Sequence, residues 1–327
     1  MMTEIFVNLC YSIVPNFNAL LGTILVSDHN HQQRKISMPD SPAFTIRTLE
    51  THADYFRAEA AQRVIWDVLD NTQVVPLHVL ITAQTNGGLA AGAFDPADHM
   101  IGFLFGFLGR TDDGHLKHCS HLMGVLPDVR RSGVGEALKR FQREYVLAQG
   151  IDLITWTFDP LEGVNASLNI GKLRTIARAY YPNLYDEMAD NLNTGIPTDR
   201  FEVEWWLNSP RVVTPTPRPL YADLIATGAQ LINPALMGDR VVSPGALQAI
   251  PTNSRYVLIE VPASYQAIKK ESMQLAQAWR FHTRVAFMSA FAAGYVVMDF
   301  ISEAPRSETI TRRNFYVLEK SAPSDQP

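Results

Sequence analysis

Cysteine is scarce in this chain, and charged residues are few. Of 327 residues two are cysteine, Cys10 and Cys119, too few for a disulfide framework, so a cytoplasmic location is expected. Charged residues make up 19% and apolar residues 46%, a balance that excludes a disordered chain. The formal charge of −5 argues against a protein that coats nucleic acid, but it is compatible with a local basic pocket.

Long apolar runs are also missing. Polar residues and Pro15 interrupt the most apolar early stretch, 5–26, whereas a membrane-spanning helix needs about 20 mostly apolar residues. No lysine or arginine precedes Arg34 to form the positive segment of a signal peptide, so no membrane partner is expected. The segment after Met38 looks like a natural start. Residues 1–40 are therefore interpreted as an extension that is poorly ordered or peripheral.

What is present is a mixed pattern of strands and helices. A strand at 43–48 precedes a helix at 52–69, for which Thr51 and Asp54 are spaced as a near capping box. Further strands are predicted at 77–83, 89–94, 100–108 and 117–125. Their short joints contain Gly, Asp and Asn, which is typical of an antiparallel meander.

An amphipathic helix and a buried strand follow. Apolar residues within 134–145 recur at helical spacing, and the charged residues there, Lys139 among them, are assigned to the polar face. The strand 151–158 is apolar at nearly every position, as expected when both faces are covered. Strand, helix and strand in this order imply a parallel crossover. A second helix is predicted at 162–181 and a last strand at 201–207.

Proline marks the next boundary. Residues 210–253 are interpreted as a Pro-rich linker with loops, which separates a domain at 41–209 from a smaller unit at 254–327. That unit is predicted as β-α-β-β with one long helix at 264–292. The predicted fold class is α/β (α+β), with a mixed, mostly antiparallel central sheet, one parallel β-α-β crossover and a smaller C-terminal α/β unit.

The stretch 125–135 carries the chemical signal. It lies between a strand end and a helix start, and Gly133 and Gly135 let the backbone turn tightly. The amides of about 131–136 then point outward at a helix N-terminus, which favours an anion such as a pyrophosphate. The P-loop and dinucleotide fingerprints are both incomplete here. The alternative is a structural turn that binds nothing charged.

Arg130-x-x-Gly133-x-Gly135 resembles the Q/R-x-x-G-x-G/A loop of the GNAT superfamily of acyl-CoA-dependent N-acyltransferases. The order of elements from 43 to 207 is similar to the plan of that family. Three further phrases look like a little-characterised bacterial branch of it, namely 120–127, 156–161 and 199–206. The resemblance covers about half of the chain firmly and implies acetyl-CoA or another acyl-CoA as co-substrate, with no metal.

The resemblance also implies where coenzyme A would bind. The pyrophosphate would rest on the loop, the pantetheine arm would pair with the preceding strand, and an amide of the second helix would bind the arm. The implied residues are Met123, Gly124, Val125, Arg130, Arg131, Ser132, Gly133, Val134, Gly135, Glu136 and Asn165. Many relatives carry a tyrosine acid on the second helix. Ile170 stands at that position here, so the usual acid is in doubt.

Several polar residues are candidates for catalysis or for the acceptor. His121 is the candidate base, and a structural histidine is the alternative. Asp159 either steers a cationic substrate or caps a turn. Glu202 and Glu204 either hold an amine or belong to an exposed strand face. Because His118 and His121 point to opposite faces of a strand, a metal site is not expected.

The sequence thus predicts an N-acyltransferase that acts on a small-molecule or peptide amine, with no nucleic-acid partner. A non-catalytic acyl-CoA sensor or scaffold stays open, and so does other acyl-CoA chemistry such as decarboxylation. The C-terminal unit either covers the acceptor or supplies a homodimer surface, and the sequence does not choose between these roles.

Overall fold

One long sheet carries helices on its faces. The computed structural model describes residues 35–36, 44–68, 73–186, 195–214, 216–237, 242–303 and 312–320. The strands are β1 Lys35–Ile36, β2 Phe44–Thr48, β3 Leu89–Phe94, β4 Met100–Arg110, β5 Leu116–Val125, β6 Leu153–Phe158, β7 Ile176–Tyr181, β8 Arg200–Trp206, β9 Gln230–Leu231, β10 Leu236–Met237, β11 Val242–Ser243, β12 Tyr256–Val261, β13 Tyr295–Glu303 and β14 Arg313–Lys320. The helices are α1 His52–Trp66, α2 Leu77–Thr85, α3 Val134–Ala148, α4 Gly163–Ala166, α5 Pro210–Val213, α6 Tyr221–Ala226, α7 Tyr265–Glu271 and α8 Met273–Ala292.

The order of the strands confirms the predicted mixed sheet. Twelve of the described strands run β1-β2-β3-β4-β5-β6-β8-β7-β13-β14-β12-β9, and β10 pairs with β11 separately. β5 and β6 are parallel and are joined through α3, which is the predicted crossover. A second parallel pair, β9 with β12, was not predicted. The other bonded neighbours in the large sheet are antiparallel.

Two predicted elements of the first half are wrong. The predicted strand 77–83 is the helix α2, and its one fully buried residue is Leu80. Pro76 supplies the extended residue before this helix, and a short apolar run does not by itself distinguish a strand from a helix. The predicted helix 162–181 is α4 plus one π-helical turn, Ser167–Lys172, and its second part is the strand β7. Arg174 adopts a left-handed φ of 61° and separates the two.

The C-terminal strands extend the same sheet. β13 lies beside β7, so the predicted β-α-β-β unit continues the first sheet and does not begin another. Its long helix is divided at Ser272, whose extended backbone ends α7 and whose side chain accepts a hydrogen bond from Leu275 N of α8. The predicted linker contains α5, α6 and three short strands. The division into a domain at 41–209 and a smaller unit at 254–327 stays a prediction.

The N-terminal prediction lies largely outside the described residues. Lys35 and Ile36 are described, and they pair with β2. Met38 and the residues before Lys35 lie outside the described part. In the described chain, no helix combines the length and apolar character needed to cross a membrane.

The helices divide between the two faces of the sheet. Thr51 and Asp54 form the predicted capping box of α1, and α1 and α2 pack on Phe103 and Phe105. α3 packs on the opposite face, against Leu104 and its neighbours. In the second half, α8 buries Phe287 among the aromatic side chains of β8 and β14. The candidate site lies around β5 and β6, near the middle of the sheet.

Candidate functional site

The loop before α3 has the geometry that its glycines predict. A single 3₁₀ turn at Pro127–Val129 follows β5, and Arg131 and Gly133 then adopt left-handed φ values of 68° and 89°. Gly133 is the N-cap residue, and no described side chain caps α3. The first N–H groups of a helix lack partners within the helix, so those of α3 stay available to an anion.

The loop side chains are placed around this helix end. Ser132 uses its hydroxyl to donate to Val129 O at 2.6 Å, which stabilises the turn. Arg130 is exposed at the loop, and one of its guanidinium N–H groups donates to Ile65 O at 3.3 Å. Arg131 is also exposed. The predicted basic loop is therefore present at the positive end of the helix dipole.

Glu136 joins the first turn of α3 to the π-helical turn. Its carboxylate lies 2.8 Å from Arg140 and 2.9 Å from Lys172. Burial raises the pKa of Glu136, but the hydrogen bonds from Lys172 and Arg140 outweigh it and leave the pKa lowered. The side chain is thus a structural anchor. The backbone N–H of Glu136 therefore remains as the group that could bind the pyrophosphate, as the sequence predicts.

β5 and β6 separate soon after they meet. The parallel pair has two register positions, His118 with Ile154 and Cys119 with Thr155. Among the described residues, β5 has no bonded neighbour on that side from Ser120 onward. The fork between the strands therefore opens at Ser120, on the edge of β5 that leads to the α3 loop.

Three predicted binding residues lie along this open edge. The side chains of Met123 and Val125 pack toward α3. Gly124 faces the other side, where a β-carbon would collide with the side chain of Ile65 and lie 3.1 Å from Trp66. Glycine at 124 thus permits close packing of α1 on the strand, a reason that the sequence alone does not show.

His121 occupies a β-bulge within the fork. Phe105 pairs with Leu122 and Gly106 with Ser120, so His121 has no residue opposite it on β4. A bulge releases backbone groups from the ladder and is common beside active sites. The His121 ring packs against Phe105 and Phe107, with centroids 5.9 and 5.8 Å away. His121 is exposed at the surface, and the partial burial of its ring lowers its pKa.

A polar surface lies beside β6 on the face opposite α3. Thr157 lies opposite Glu202 in the register of β6 and β8. Glu202 accepts a hydrogen bond from Tyr181 at 2.9 Å and lies 3.5 Å from Lys117 Nζ. Burial and the bond to Glu202 raise the pKa of Tyr181 to about 12. This set, Lys117, Thr157, Tyr181 and Glu202, is called the open-face cluster below.

The two other acidic candidates, Asp159 and Glu204, make ion pairs and hydrogen bonds with other side chains of the chain. Asp159 accepts two hydrogen bonds from the buried Arg280 and one from Leu161 N, so it is a structural ion pair. Burial raises the pKa of Asp159, but the charge and hydrogen bonds of Arg280, the charge of Arg200 and the hydrogen bond from Leu161 together leave it lowered. Glu204 accepts from Trp206 Nε1 at 2.8 Å and lies 3.5 Å from Arg178.

The second helix differs from the expectation at several positions. Asn165 is exposed on α4, and its role toward the pantetheine arm stays a prediction. Ile170 is fully buried in the core, so no hydroxyl occupies that position. In the described part of the chain, no three His, Cys, Asp or Glu side chains cluster as metal ligands.

Sequence reasoning placed Lys139 on the polar face of α3, and this is wrong. Its side chain is buried with 2% exposure, and its Nζ donates to Ser120 Oγ and Gln142 Oε1. The neighbouring His118 is also fully buried. The sequence did hold one signal of this burial. Lys139 and Gln142 lie three positions apart on α3, so their side chains can form a hydrogen bond with each other inside a core.

Comparisons with known proteins bear on about half of the chain. No family model matches it, and no curated protein matches it. The structure of the NatC complex bound to Gag peptide and CoA is similar, with a TM-score of 0.41, 13% identity, and coverage of 50% of this chain and 99% of that chain. The ribosomal-protein-S18-alanine N-acetyltransferase from Escherichia coli has a TM-score of 0.40 and 16% identity over 54% of this chain and 99% of its own.

An acetyltransferase of the GNAT family from Streptococcus pneumoniae has a TM-score of 0.40 and 13% identity, over 49% of this chain and 98% of its own. Each of these three structures is matched along nearly its whole length. The similarity concerns the fold.

Proposed function

We propose that this chain transfers an acyl group from a coenzyme A thioester to the nitrogen of an amine. The observation that carries the proposal is the fork between β5 and β6, which leads to the uncapped N-terminus of α3. The open edge of β5 thus leads directly to an anion site at the start of α3. Coenzyme A combines a pyrophosphate with an extended arm that contains amides, so its two parts match these two features.

The open edge of β5 offers backbone partners for the arm. From Ser120 to Val125 the edge facing β6 has no strand beside it in the described chain. Unpaired N–H and C=O groups of an edge are a template for another extended segment. An arm that leaves the α3 loop and follows this edge brings its thioester to the bulge at His121.

The chemistry follows from the groups around the bulge. The amine nitrogen attacks the thioester carbon, a C–N bond forms, the C–S bond breaks, and the CoA thiolate leaves with the electron pair. A backbone N–H released by the bulge polarises the thioester carbonyl. His121 lies on the open face and its pKa is lowered, which favours the neutral ring that a base requires, so we assign it as the base that takes the proton of the attacking amine.

The open-face cluster supports an amine as the acceptor. Glu202 and the phenol of Tyr181 form a polar patch beside β6, on the face that bears His121. The Glu202 carboxylate would attract the amine in its protonated, ammonium form. The ammonium group then loses its proton before the nitrogen attacks. The acceptor therefore approaches from the face opposite α3.

Binding without turnover is the second candidate, and Ile170 favours it. A buried aliphatic side chain cannot protonate the departing thiolate. A protein that binds acyl-CoA and reports it, without transfer, would need the loop and the fork but no acid or base.

Free-thiol release from acyl-CoA with a panel of amines separates these candidates. We expect amine-dependent release from the native chain, and a loss of about 10²–10⁴ in rate for His121→Gln with unchanged CoA affinity. His99→Gln, a change at an exposed turn, serves as the control. CoA binding without amine-dependent release across the panel would favour the sensor.

A further inference from the structure

A buried ammonium group lies at the closed end of the fork. Lys139 Nζ is 2.7 Å from Ser120 Oγ and 3.1 Å from Gln142 Oε1. It also lies 3.6 Å from the centre of the Trp156 ring. Ser120 belongs to β5 and Trp156 to β6, and each is the first residue after the last bonded pair of the two strands. The ammonium therefore contacts both strands where they separate.

No carboxylate partner for this amine lies in the described part of the chain. Among the described residues, the polar contacts of Lys139 are a hydroxyl, an amide oxygen and an aromatic face, and no carboxylate lies within ion-pair distance. Buried charges are ordinarily paired with an opposite charge or with a ligand. Burial lowers the pKa of Lys139 well below its usual value, as expected when the partner is missing.

Hydrogen-bond donors around the ammonium also lack acceptors. Because Lys139 donates to the side-chain oxygen of Gln142, the orphan atom of that amide is the NH₂ group, which has no partner in the described chain. Both ring nitrogens of His118 are likewise buried and unpartnered there. Burial, with the charge of Lys139, lowers the pKa of His118 to about 4, so its neutral ring has one N–H to donate.

This surplus of donors suits an acceptor, such as an anion, that reaches Lys139 along the fork. An arm bound along the edge of β5 would place its thioester at the bulge, one residue from Ser120. The acyl chain beyond the thioester then points to the closed end. A short acyl chain that ends in a carboxylate would accept hydrogen bonds from Lys139 and Gln142.

On the basis of the proposed function, we propose that the acyl donor is a CoA thioester of a short dicarboxylic acid, of the malonyl or succinyl class. Lys139, Gln142 and His118 would hold the far carboxylate. That carboxylate takes no part in the bond changes: the C–N bond still forms and the C–S bond still breaks at the thioester carbon. Lys139 would thus be a specificity-determining residue for the donor.

Equilibrium binding to the full chain tests the inference with CoA, acetyl-CoA, malonyl-CoA and succinyl-CoA as probes. We expect malonyl-CoA or succinyl-CoA to bind at least about tenfold more tightly than acetyl-CoA, a difference of about 1.4 kcal/mol. Lys139→Met should abolish this preference and leave the affinity for CoA unchanged. Lys270→Met makes the same change at an exposed lysine and should keep the preference.

Two results would overturn the inference and leave the proposed function standing. In the first, acetyl-CoA binds as tightly as both dicarboxylic thioesters. In the second, the preference survives in Lys139→Met. If Lys139→Met does not fold, Gln142→Leu gives the same comparison, since it removes the amide donors and keeps the ammonium. Failure of all probes to bind the native chain would instead contradict the proposed function.

Discussion

Replacing Arg280 by methionine should destabilise the whole sheet. The Arg280 side chain is 1% exposed and donates two hydrogen bonds to the carboxylate of Asp159, which follows β6. Arg200 lies farther from that carboxylate, at 3.8 Å. Arg280→Met therefore leaves a buried carboxylate with a weaker partner. Breaking a buried pair in this way costs about 3–5 kcal/mol.

The expected change in melting temperature follows from this cost. At roughly 2–4 °C per kcal/mol for large domains, Arg280→Met should lower Tm by about 6–20 °C. Differential scanning calorimetry and urea unfolding measure the effect. Arg255→Met is the matched control, because Arg255 also makes two hydrogen bonds to one carboxylate, Glu319, but at the surface. The control should leave Tm almost unchanged.

The pH dependence adds a second test of the same pair. The pKa of Asp159 is lowered in the folded chain, so its stabilising effect is complete above the ordinary value of 3.8 and is lost as the pH falls. The reasoning would be refuted if Arg280→Met behaved like Arg255→Met.

Three further predictions concern the site. Lys139→Met should raise the free energy of unfolding of the unliganded chain, and the native stability should rise with pH toward 10.5, the ordinary lysine value, a rise absent from the variant; urea titrations across pH check both. Gly133→Ala should weaken CoA binding, whereas Gly114→Ala, at a similar φ of 90° in a turn, should cost similar stability and leave binding intact in titration calorimetry. Glu202→Gln should bring the pKa of Tyr181 down from about 12, as ultraviolet titration would show, and should weaken the apparent affinity for the amine.

The fold of the first half was largely predictable because its signals are local. Thr51 and Asp54 satisfy the end of α1, and the loop glycines fix the entry to α3. β7 was missed because the segment 162–181 has an apolar pattern that also fits a helix, and a left-handed Arg174 ends that helix. The break at Ser272 was missed because the chain on both sides is helical.

The candidate site was predictable where it depends on the backbone. The loop 130–136 lies at the helix end as its sequence predicts. The bulge at His121 and the burial of Lys139 were not predictable, because both depend on the register between strands and on which side of α3 meets the sheet. Asp159 caps the turn at Leu161, which is one of the two roles considered for it, but its ion pair was not predictable because the partner, Arg280, is distant in sequence.

Titration calorimetry of the full chain with CoA tests the central claim most directly. The account predicts saturable binding of CoA and its thioesters at one site per chain, and no comparable binding of ATP. Ligand at about 100 times its dissociation constant should also stabilise the chain by roughly 2.7 kcal/mol, which a melting curve would show. The absence of binding by CoA and by every thioester would contradict the account and would leave the α3 loop as a structural turn.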